Sequence, residues 1–240
     1  MYFRLRMISL PSAHQKSRNE VIIMPVFALE ENEIYFPDPT LAEDDGLLAI
    51  GGDLSVERLV LAYSNGIFPW YNKDDPIMWW CPKERFIIRP SAIHISHSMK
   101  KFMRKHDVKI QLNRDFADTM HRCRTKRENN EGTWINDDME KAYFRLHENG
   151  FAVSVEAYID NNLAGGLYGV CLGRCFFGES MFSDIENGSK TALILLAELL
   201  ERNEFVMIDC QFHTDHLESM GGEAISYKEY IELLNDGLDF

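Results

Sequence analysis

The stretch FFGESMFS at residues 176–183 places an acidic side chain, Glu179, inside an aromatic run. A carboxylate with Phe and Met on both sides must be paired or must take part in chemistry, because burying a lone charge is costly. A structural glutamate that accepts hydrogen bonds from backbone amides is the alternative. The stretch alone leaves both interpretations open.

A hydrolase nucleophile at Ser180 is the less favoured hypothesis. The G-x-S-x-G elbow needs small residues for its sharp turn, and Phe182 stands where the second glycine belongs. An acid and then a histidine do follow, as Asp209 and His213 or His216, but any long chain offers such a trio. We expect Ser180 to be structural and to help hold a turn.

The run IDCQ at residues 208–211 ends a strand-like segment, where catalytic groups often gather. Asp209 and Gln211 are two positions apart, so in an extended chain their side chains point to the same side. A neutral Gln cannot be a base, but its amide can orient a substrate or relay polarity from Asp209. A structural cap for the next helix is the alternative.

Metal and nucleotide motifs are weak. His94 and His97, and His213 and His216, are H-x-x-H pairs, but zinc needs three or four ligands and no H-E-x-x-H occurs. GGLYG at residues 165–169 lies between two strands and does not open a helix, so it predicts a bulge or a close approach of ligand or backbone. The five cysteines form no C-x-x-C pair, which favours reduced thiols. We expect neither metal nor cofactor.

Two tryptophans stand in loop-like contexts: Trp70 in FPW and Trp134 in EGTW. Aromatic rings in loops near basic segments suit stacking on unpaired RNA bases. Burial in the core is the competing interpretation.

Charge is distributed unevenly along the chain. The formal net charge is −13, yet residues 83–127 hold 13 Lys and Arg against 4 Asp and Glu. Such asymmetry favours one face for an anionic partner and another for a cationic one. A solvated basic helix balanced by acidic neighbours in the fold is equally compatible with the charge alone.

Hydrophobic periodicity predicts an α+β protein with a largely antiparallel sheet followed by a helix and a further strand. Strands are expected at residues 85–89, 108–112, 151–159, 163–170, 175–178 and 205–209. Helices are expected at residues 55–64, 98–106, 115–123, 137–149, 189–202 and 215–219, and from 226 onward. Three regions are predicted: a loosely attached extension at 1–33, a small N-terminal domain at 34–84 and a larger domain at 85–240.

Several motifs occur in one order: GLLAIGGDLS, AYSNGIFPWY, MWWCP, EGTWI, AYFRLHENG, GGLYGV, FFGESMFS, NGSKTAL and IDCQ. Together they resemble the leucyl/phenylalanyl-tRNA–protein transferases, over residues 36–230. The resemblance implies a bacterial, cytoplasmic, monomeric enzyme without a membrane partner, whose larger domain has the acyl-CoA N-acyltransferase fold. It implies transfer of Leu or Phe, and less well Met, from aminoacyl-tRNA to the α-amino group of proteins beginning with Arg or Lys. That modification would mark the acceptor for degradation.

The resemblance also assigns roles to residues. Asp209, Gln211 and Glu179 become the catalytic polar groups. Trp70, Trp134 and Tyr63 are expected around the 3′-terminal adenosine of the tRNA, and Leu167 and Phe176 in the aminoacyl pocket. In this interpretation the tRNA phosphates are held by basic residues of the segment noted above and of a later helix start, namely Lys100, Lys101, Arg104, Lys105 and Lys190.

The chemistry expected from these residues needs no ATP, because an aminoacyl ester is already activated. Asp209 would polarise Gln211, whose side-chain oxygen accepts a hydrogen bond from the attacking amine, while Glu179 holds the α-ammonium or the acceptor's side-chain cation. Backbone N–H groups near the glycine-rich strand would stabilise the oxyanion. Two rivals are an acyl-CoA-dependent N-acyltransferase of the same fold, which needs a glycine loop where ENGSKTA stands, and a non-catalytic module that binds RNA or protein N-termini.

Overall fold

The computed structural model describes residues 26–128 and 133–239. The described part of the predicted extension is tied to the body of the protein, and so is not a loose arm. A strand at Phe27–Leu29 pairs in parallel with one at Leu47–Gly51. The guanidinium of Arg58, which is fully buried, donates to the backbone carbonyls of Glu30 and Glu33 at 2.8 and 3.0 Å.

The described residues form strands and helices numbered here in chain order. The strands are β1 Phe27–Leu29, β2 Leu47–Gly51, β3 Phe68–Pro69, β4 Met78–Trp80, β5 Glu84–Ile88, β6 Val108–Leu112, β7 Ala152–Ile159, β8 Asn162–Leu172, β9 Cys175–Ser183, β10 Met207–Gln211 and β11 Glu223–Ser226. The α-helices are α1 Val56–Ser64, α2 His97–Lys105, α3 Phe116–Glu128, α4 Asp137–Glu148, α5 Gly188–Arg202, α6 Asp215–Ser219 and α7 Tyr227–Leu238.

The main sheet has seven strands in the order β11-β5-β10-β9-β8-β7-β6. Every neighbouring pair is antiparallel except β9 and β10, which are parallel and joined by α5. The predicted α+β class, with a mixed and largely antiparallel sheet between helices, is confirmed. Strand β9 runs five residues beyond its predicted end at Gly178, and the four-residue edge strand β11 was not predicted.

A second sheet of four short strands, in the order β1-β2-β4-β3, precedes the main one. Its strands were not predicted, because each has two to five residues and shows little alternation. Trp79 of this sheet is fully buried and shares a hydrophobic core with Phe177 and Tyr168 of the main sheet. The small sheet therefore shares one hydrophobic core with the main sheet.

Helix α5 covers the other face of the main sheet and packs against β8. The close approach depends on glycine: a Cβ on Gly165 would lie 2.6 Å from the carbonyl carbon of Gly188, and one on Gly188 would lie 2.0 Å from the carbonyl oxygen of Ala164. The prediction that GGLYG marks a close backbone approach is confirmed. One residue of α5, Leu193, lines the site described next.

All five cysteines are free, as expected. In the part of the chain that the structure describes, no helix is both long and apolar enough to cross a membrane.

Candidate active site

Glu179 lies at a β-bulge. In the register between β8 and β9, Tyr168 pairs with Ser180 and Gly169 with Gly178, so Glu179 is the extra residue. Phe176 and Met181, five positions apart, consequently pack in the same core, which strict alternation would forbid. Bulges of this kind re-aim a side chain beside an active site.

The Glu179 side chain is buried and accepts three hydrogen bonds. Its Oε1 accepts from the hydroxyl of Tyr63 at 2.6 Å and from Nε2 of Gln211 at 2.9 Å, and its Oε2 accepts from the hydroxyl of Tyr143 at 3.1 Å. The two tyrosine hydroxyls also bond to each other. Burial raises the pKa of Glu179 to about 7, and the three donors act against that rise. The carboxyl group therefore changes charge near neutral pH.

Gln211 stands at a second bulge. Between β10 and β5, Asp209 pairs with Ile87 and Gln211 with Phe86, which leaves Cys210 as the extra residue. Gln211 takes the left-handed conformation with a φ of 64°, which is uncommon for a residue other than glycine. Because β9 and β10 are neighbours, the two bulges bring Glu179 and Gln211 side by side. Non-glycine residues in this region of φ cluster at functional sites.

Asp209 has no exposed surface and lies behind the site. Its carboxylate accepts from Nε and Nη2 of Arg85 at 2.9 and 2.7 Å, from the hydroxyl of Tyr230 at 2.8 Å, and from the backbone N–H of Gln211 at 2.8 Å. The expectation that Asp209 polarises the side chain of Gln211 is therefore not met. The carboxylate contacts the Gln211 backbone, because the bulge at Cys210 breaks the two-residue alternation.

A pocket of about 260 Å³ opens in front of Glu179 and Gln211. One part of its wall is polar and contains Glu179, Gln211, Ser180 and Arg127. The remainder is mostly apolar, and it includes both predicted aminoacyl-pocket residues, Leu167 and Phe176, together with Met181, Leu193, Ile208 and Leu217. Such a wall suits a medium-sized apolar side chain with a polar end.

The predicted adenosine residues separate into two groups. Trp70 and Trp134 both line the pocket, and Trp70 is 42% exposed. Tyr63 has no exposed surface and is engaged with Glu179 and Tyr143, so the structure does not offer its ring to a stacking base. Tyr63 contributes to the site by donating a hydrogen bond to Glu179.

Arg127 and Ser180 form a pair on the pocket wall. Nε of Arg127, in α3, donates to Oγ of Ser180 at 2.9 Å. The expectation that Ser180 holds a turn is wrong, because β9 continues through it to Ser183. Its hydroxyl anchors an arginine beside the cavity.

The predicted phosphate-binding residues lie on α2 and α5. Lys100, Lys101, Arg104 and Lys105 are exposed on α2. Lys190 is partly exposed in the first turn of α5 and contributes to a lowered pKa of His216, after the larger effect of burial. Other cations of the basic segment form ion pairs with acidic side chains of this chain: Arg124, for example, pairs with Glu128, Asp137 and Glu140. The segment is therefore only partly available to an anionic partner.

Neither predicted H-x-x-H pair forms a cluster of possible metal ligands in the described residues. Such a cluster occurs at His213, Asp215 and Glu218, whose ligand atoms lie within 4.8 Å of one another and which are all exposed. His213 Nε2 lies 3.0 Å from a Glu218 carboxylate oxygen, so these two of the three residues are paired with each other.

Comparison with known families matches two models to the chain. The model described as leucyl/phenylalanyl-tRNA protein transferase matches residues 87–235, and the model for the N-terminal domain of the same proteins matches residues 52–83. The chain belongs to the leucyl/phenylalanyl-tRNA protein transferase family. The resemblance inferred from the ordered motifs is thus confirmed.

Curated members of the leucyl/phenylalanyl-tRNA protein transferase family align over nearly all of this chain. The transferase of Desulfatibacillum aliphaticivorans is 53% identical over 218 residues, covering 90% of this chain and 93% of that protein. The transferase of Syntrophobacter fumaroxidans is 49% identical and covers 90% of this chain and 92% of that protein. Among solved structures, L-PGS from Bacillus licheniformis matches at 10% identity with a TM-score of 0.40, covering 75% of this chain and 61% of that one. This last likeness is too distant to bear on function.

Three residues of this family member were not singled out from sequence as part of the site. Tyr143 lies within the predicted helix at 137–149, Arg127 is one of the 13 Lys and Arg of residues 83–127, and no sequence motif points to Phe212. Phe212 lines the pocket and lies 5.6 Å from Trp70 between ring centroids. Tyr143 carried the one available signal, because a tyrosine on a buried helix face must find a partner for its hydroxyl.

Proposed function

We propose that this chain transfers Leu or Phe, and less well Met, from aminoacyl-tRNA to the α-amino group of proteins that begin with Arg or Lys. The observation that carries this proposal is the pocket itself, a cavity of about 260 Å³ in which the pair Glu179 and Gln211 stands beside a mostly apolar wall. A hydrophobic hole discriminates weakly between side chains of similar size, which fits an enzyme with several aminoacyl donors.

The aminoacyl ester enters with its side chain against Leu167 and Phe176. Its terminal adenosine lies by Trp70 and Trp134, which border the same cavity. Phe212 extends this aromatic surface, since its ring contacts Trp70. The ester carbonyl is thereby placed near Gln211.

Gln211 receives the attacking amine. Its Nε2 is engaged by Glu179, so its side-chain oxygen is left to accept a hydrogen bond from the neutral α-amine. The amine nitrogen attacks the ester carbonyl, the bond to the ribose 3′-oxygen breaks, and the proton released by the nitrogen passes to that oxygen. Placing the two reactants together supplies most of the acceleration that such an activated ester requires.

Glu179 holds the acceptor's α-ammonium before attack, and its carboxylate then accepts the proton whose loss turns the ammonium into the neutral amine. The carboxylate lies 2.9 Å from Gln211, so a group that it binds is already next to the amide that orients the amine. The side-chain cation of an N-terminal Arg or Lys is several bonds further from the reacting nitrogen. With a pKa of about 7, Glu179 is substantially ionised at neutral pH.

The exposed cations of α2, with Lys190, contact the phosphates of the tRNA acceptor stem. Four of them lie on one helix, and the fifth, Lys190 at the start of α5, is close enough to His216 to lower its pKa. His216 stands in the chain between Thr214 and Leu217, which line the pocket. The acceptor is a cationic N-terminus, consistent with the net charge of −13.

A transfer assay tests this function. The protein is mixed with tRNA charged with labelled Leu and with a peptide that begins with Arg, and label in the peptide is the expected result. The matched control is the same peptide with its α-amino group acetylated, which should take up none. Label transferred equally from leucyl-tRNA to both peptides, or no transfer at all, would contradict the proposal. Transfer from an acyl-CoA donor instead would favour the rival acyltransferase.

A further inference from the structure

Two buried residues outside the pocket bind the carboxylate that lies behind Gln211. Arg85 on β5 and Tyr230 on α7 are 1% exposed, and both bind the carboxylate of Asp209. Neither residue lines the cavity of described residues around Glu179 and Gln211. Together with Asp209 they form what we term the anchor, defined as Arg85, Asp209 and Tyr230.

The anchor is closely packed. The guanidinium carbon of Arg85 lies 4.6 Å from the ring centroid of Phe68 and 4.6 Å from that of Tyr230, so it is held between two aromatic faces. Arg85 bonds the carboxylate through both Nε and Nη2, which fixes its plane. The Tyr230 ring is in turn confined, because a Cβ on Gly66 would lie 2.6 Å from its Cε1.

The carboxylate held in this way acts on one backbone group. Oδ1 of Asp209 accepts the N–H of Gln211 at 2.8 Å, across the bulge and at a residue with φ of 64°. A left-handed conformation in a glutamine is strained and persists only where the surroundings impose it. Here the backbone N–H of Gln211 is bound by Asp209, and its side-chain amide is bound by Glu179.

We propose that Arg85 and Tyr230 are positioning residues for the transfer reaction: they orient Asp209, and Asp209 fixes the Gln211 backbone so that its amide faces Glu179 and the pocket. This inference rests on the proposed function. In this inference Asp209 does not touch the substrate but positions Gln211. Helix α7, near the C-terminal end of the chain, contributes to that positioning through Tyr230.

The test uses Tyr230→Phe, which removes a single hydroxyl and keeps the ring against Arg85. The matched control is Tyr227→Phe on the same helix, because the hydroxyl of the partly buried Tyr227 has no hydrogen-bond partner among the described residues. In Tyr230→Phe we expect kcat to fall roughly tenfold, the size of one hydrogen bond to a charged group, with KM for both substrates little changed. Tyr227→Phe should leave kcat as in the wild type.

A second readout separates this inference from the proposed function. Hydrogen exchange of the Gln211 backbone amide should be faster in Tyr230→Phe, and in Arg85→Lys, than in the wild type and in Tyr227→Phe. If the wild type transfers nothing, the proposed function fails while the exchange measurement still decides on the anchor. Unchanged exchange at Gln211 in Tyr230→Phe overturns the inference. So does an unchanged kcat in an active enzyme, or a fall in kcat that Tyr227→Phe shares.

Discussion

The side-chain amide of Gln211 donates a 2.9 Å hydrogen bond to the Glu179 carboxylate, and each of the two residues belongs to a β-bulge in adjacent parallel strands. The pair thus depends on two departures from regular sheet geometry at the same level of the sheet. Each bulge frees one residue from the ladder, and together they point two polar side chains at one cavity.

The first prediction concerns the pH dependence of transfer in Glu179→Gln. Since burial raises the pKa of Glu179 to about 7, the wild-type carboxyl becomes ionised as the pH rises through neutrality and then holds the acceptor's ammonium. Relative to wild type, kcat/KM for the acceptor peptide should be roughly tenfold lower at pH 8 and nearly equal at pH 5.5. A wild-type to variant ratio that stays constant over this range would argue against the role of Glu179.

The same substitution predicts a change in stability. A carboxyl whose pKa is higher in the folded than in the unfolded protein contributes stability that is fully present below its ordinary pKa of 4.5 and is lost as the pH rises through about 7. Glu179→Gln removes that dependence. Melting temperatures at pH 5 and pH 8 should therefore differ less in the variant, after the shared titration of other groups is subtracted. If the melting temperature of the wild type changed between pH 5 and pH 8 by the same amount as that of the variant, the prediction would be wrong.

The sequence alone could predict that Glu179 is paired or takes part in chemistry, because a lone acid among phenylalanines has few structural explanations. Its bulge could not. Local alternation gives no sign that Phe176 and Met181 share a face, since the extra residue is set by the pairing with β8, a tertiary constraint. The end of β9 was consequently placed too early.

The hydrogen-bond partners of Asp209 could not be predicted from sequence either, because they too are set by tertiary contacts. Its partners Arg85 and Tyr230 are 124 and 21 residues away in the chain, and no local rule joins them. The two-residue spacing predicted that the side chains of Asp209 and Gln211 point to the same side of the strand. That rule holds only for extended backbone, and Gln211 has a left-handed φ. By contrast the main helices were well predicted, because their apolar periodicity and caps are local signals.

The second prediction concerns the two tyrosines behind Glu179. Hydrogen bonds from Tyr63 and Tyr143 lower the pKa of Glu179 against the effect of burial, so removing either hydroxyl should raise it. In Tyr63→Phe and Tyr143→Phe the rise of kcat/KM with pH should move to higher pH, leaving activity about threefold lower at pH 7 and close to wild type at pH 9. Tyr63→Phe should have the larger effect, because its bond is shorter, at 2.6 against 3.1 Å.

Tyr158→Phe is the control for this pair. Its hydroxyl has no hydrogen-bond partner among the residues described, and its ring lies against Arg114 on the outer part of the sheet. An unshifted pH profile in both Tyr63→Phe and Tyr143→Phe would mean that the tyrosines do not tune Glu179.

The third prediction concerns tRNA binding by α2. A variant with Ala at the four exposed cations Lys100, Lys101, Arg104 and Lys105 can neutralise up to four fewer phosphates of the tRNA. The slope of log K against log salt for aminoacyl-tRNA should become shallower by about 0.7–0.9 for each phosphate that is no longer neutralised, while kcat at saturating tRNA stays near wild type. The double variant Arg202→Ala/Lys228→Ala, whose cations lie at the far end of α5 and on α7, is the control. Full tRNA affinity in the α2 variant would remove α2 from the interface.

The fourth prediction concerns the width of the aminoacyl pocket. Gly178 lines the cavity, and a Cβ built on it meets only ordinary contacts, the nearest being the carbonyl oxygen of Asp209 at 3.6 Å. Gly178→Ala should therefore fold normally while its methyl group narrows the cavity. Because a misfit of one methylene is worth about 1–3 kcal/mol, kcat/KM with phenylalanyl-tRNA should fall roughly tenfold more than with leucyl-tRNA. Gly169→Ala is the contrasting variant, since its Cβ would lie 2.3 Å from the carbonyl oxygen of Phe177 and should lower the melting temperature by several degrees. An unchanged preference between the two donors in a stable Gly178→Ala protein would show that the aminoacyl side chain binds elsewhere.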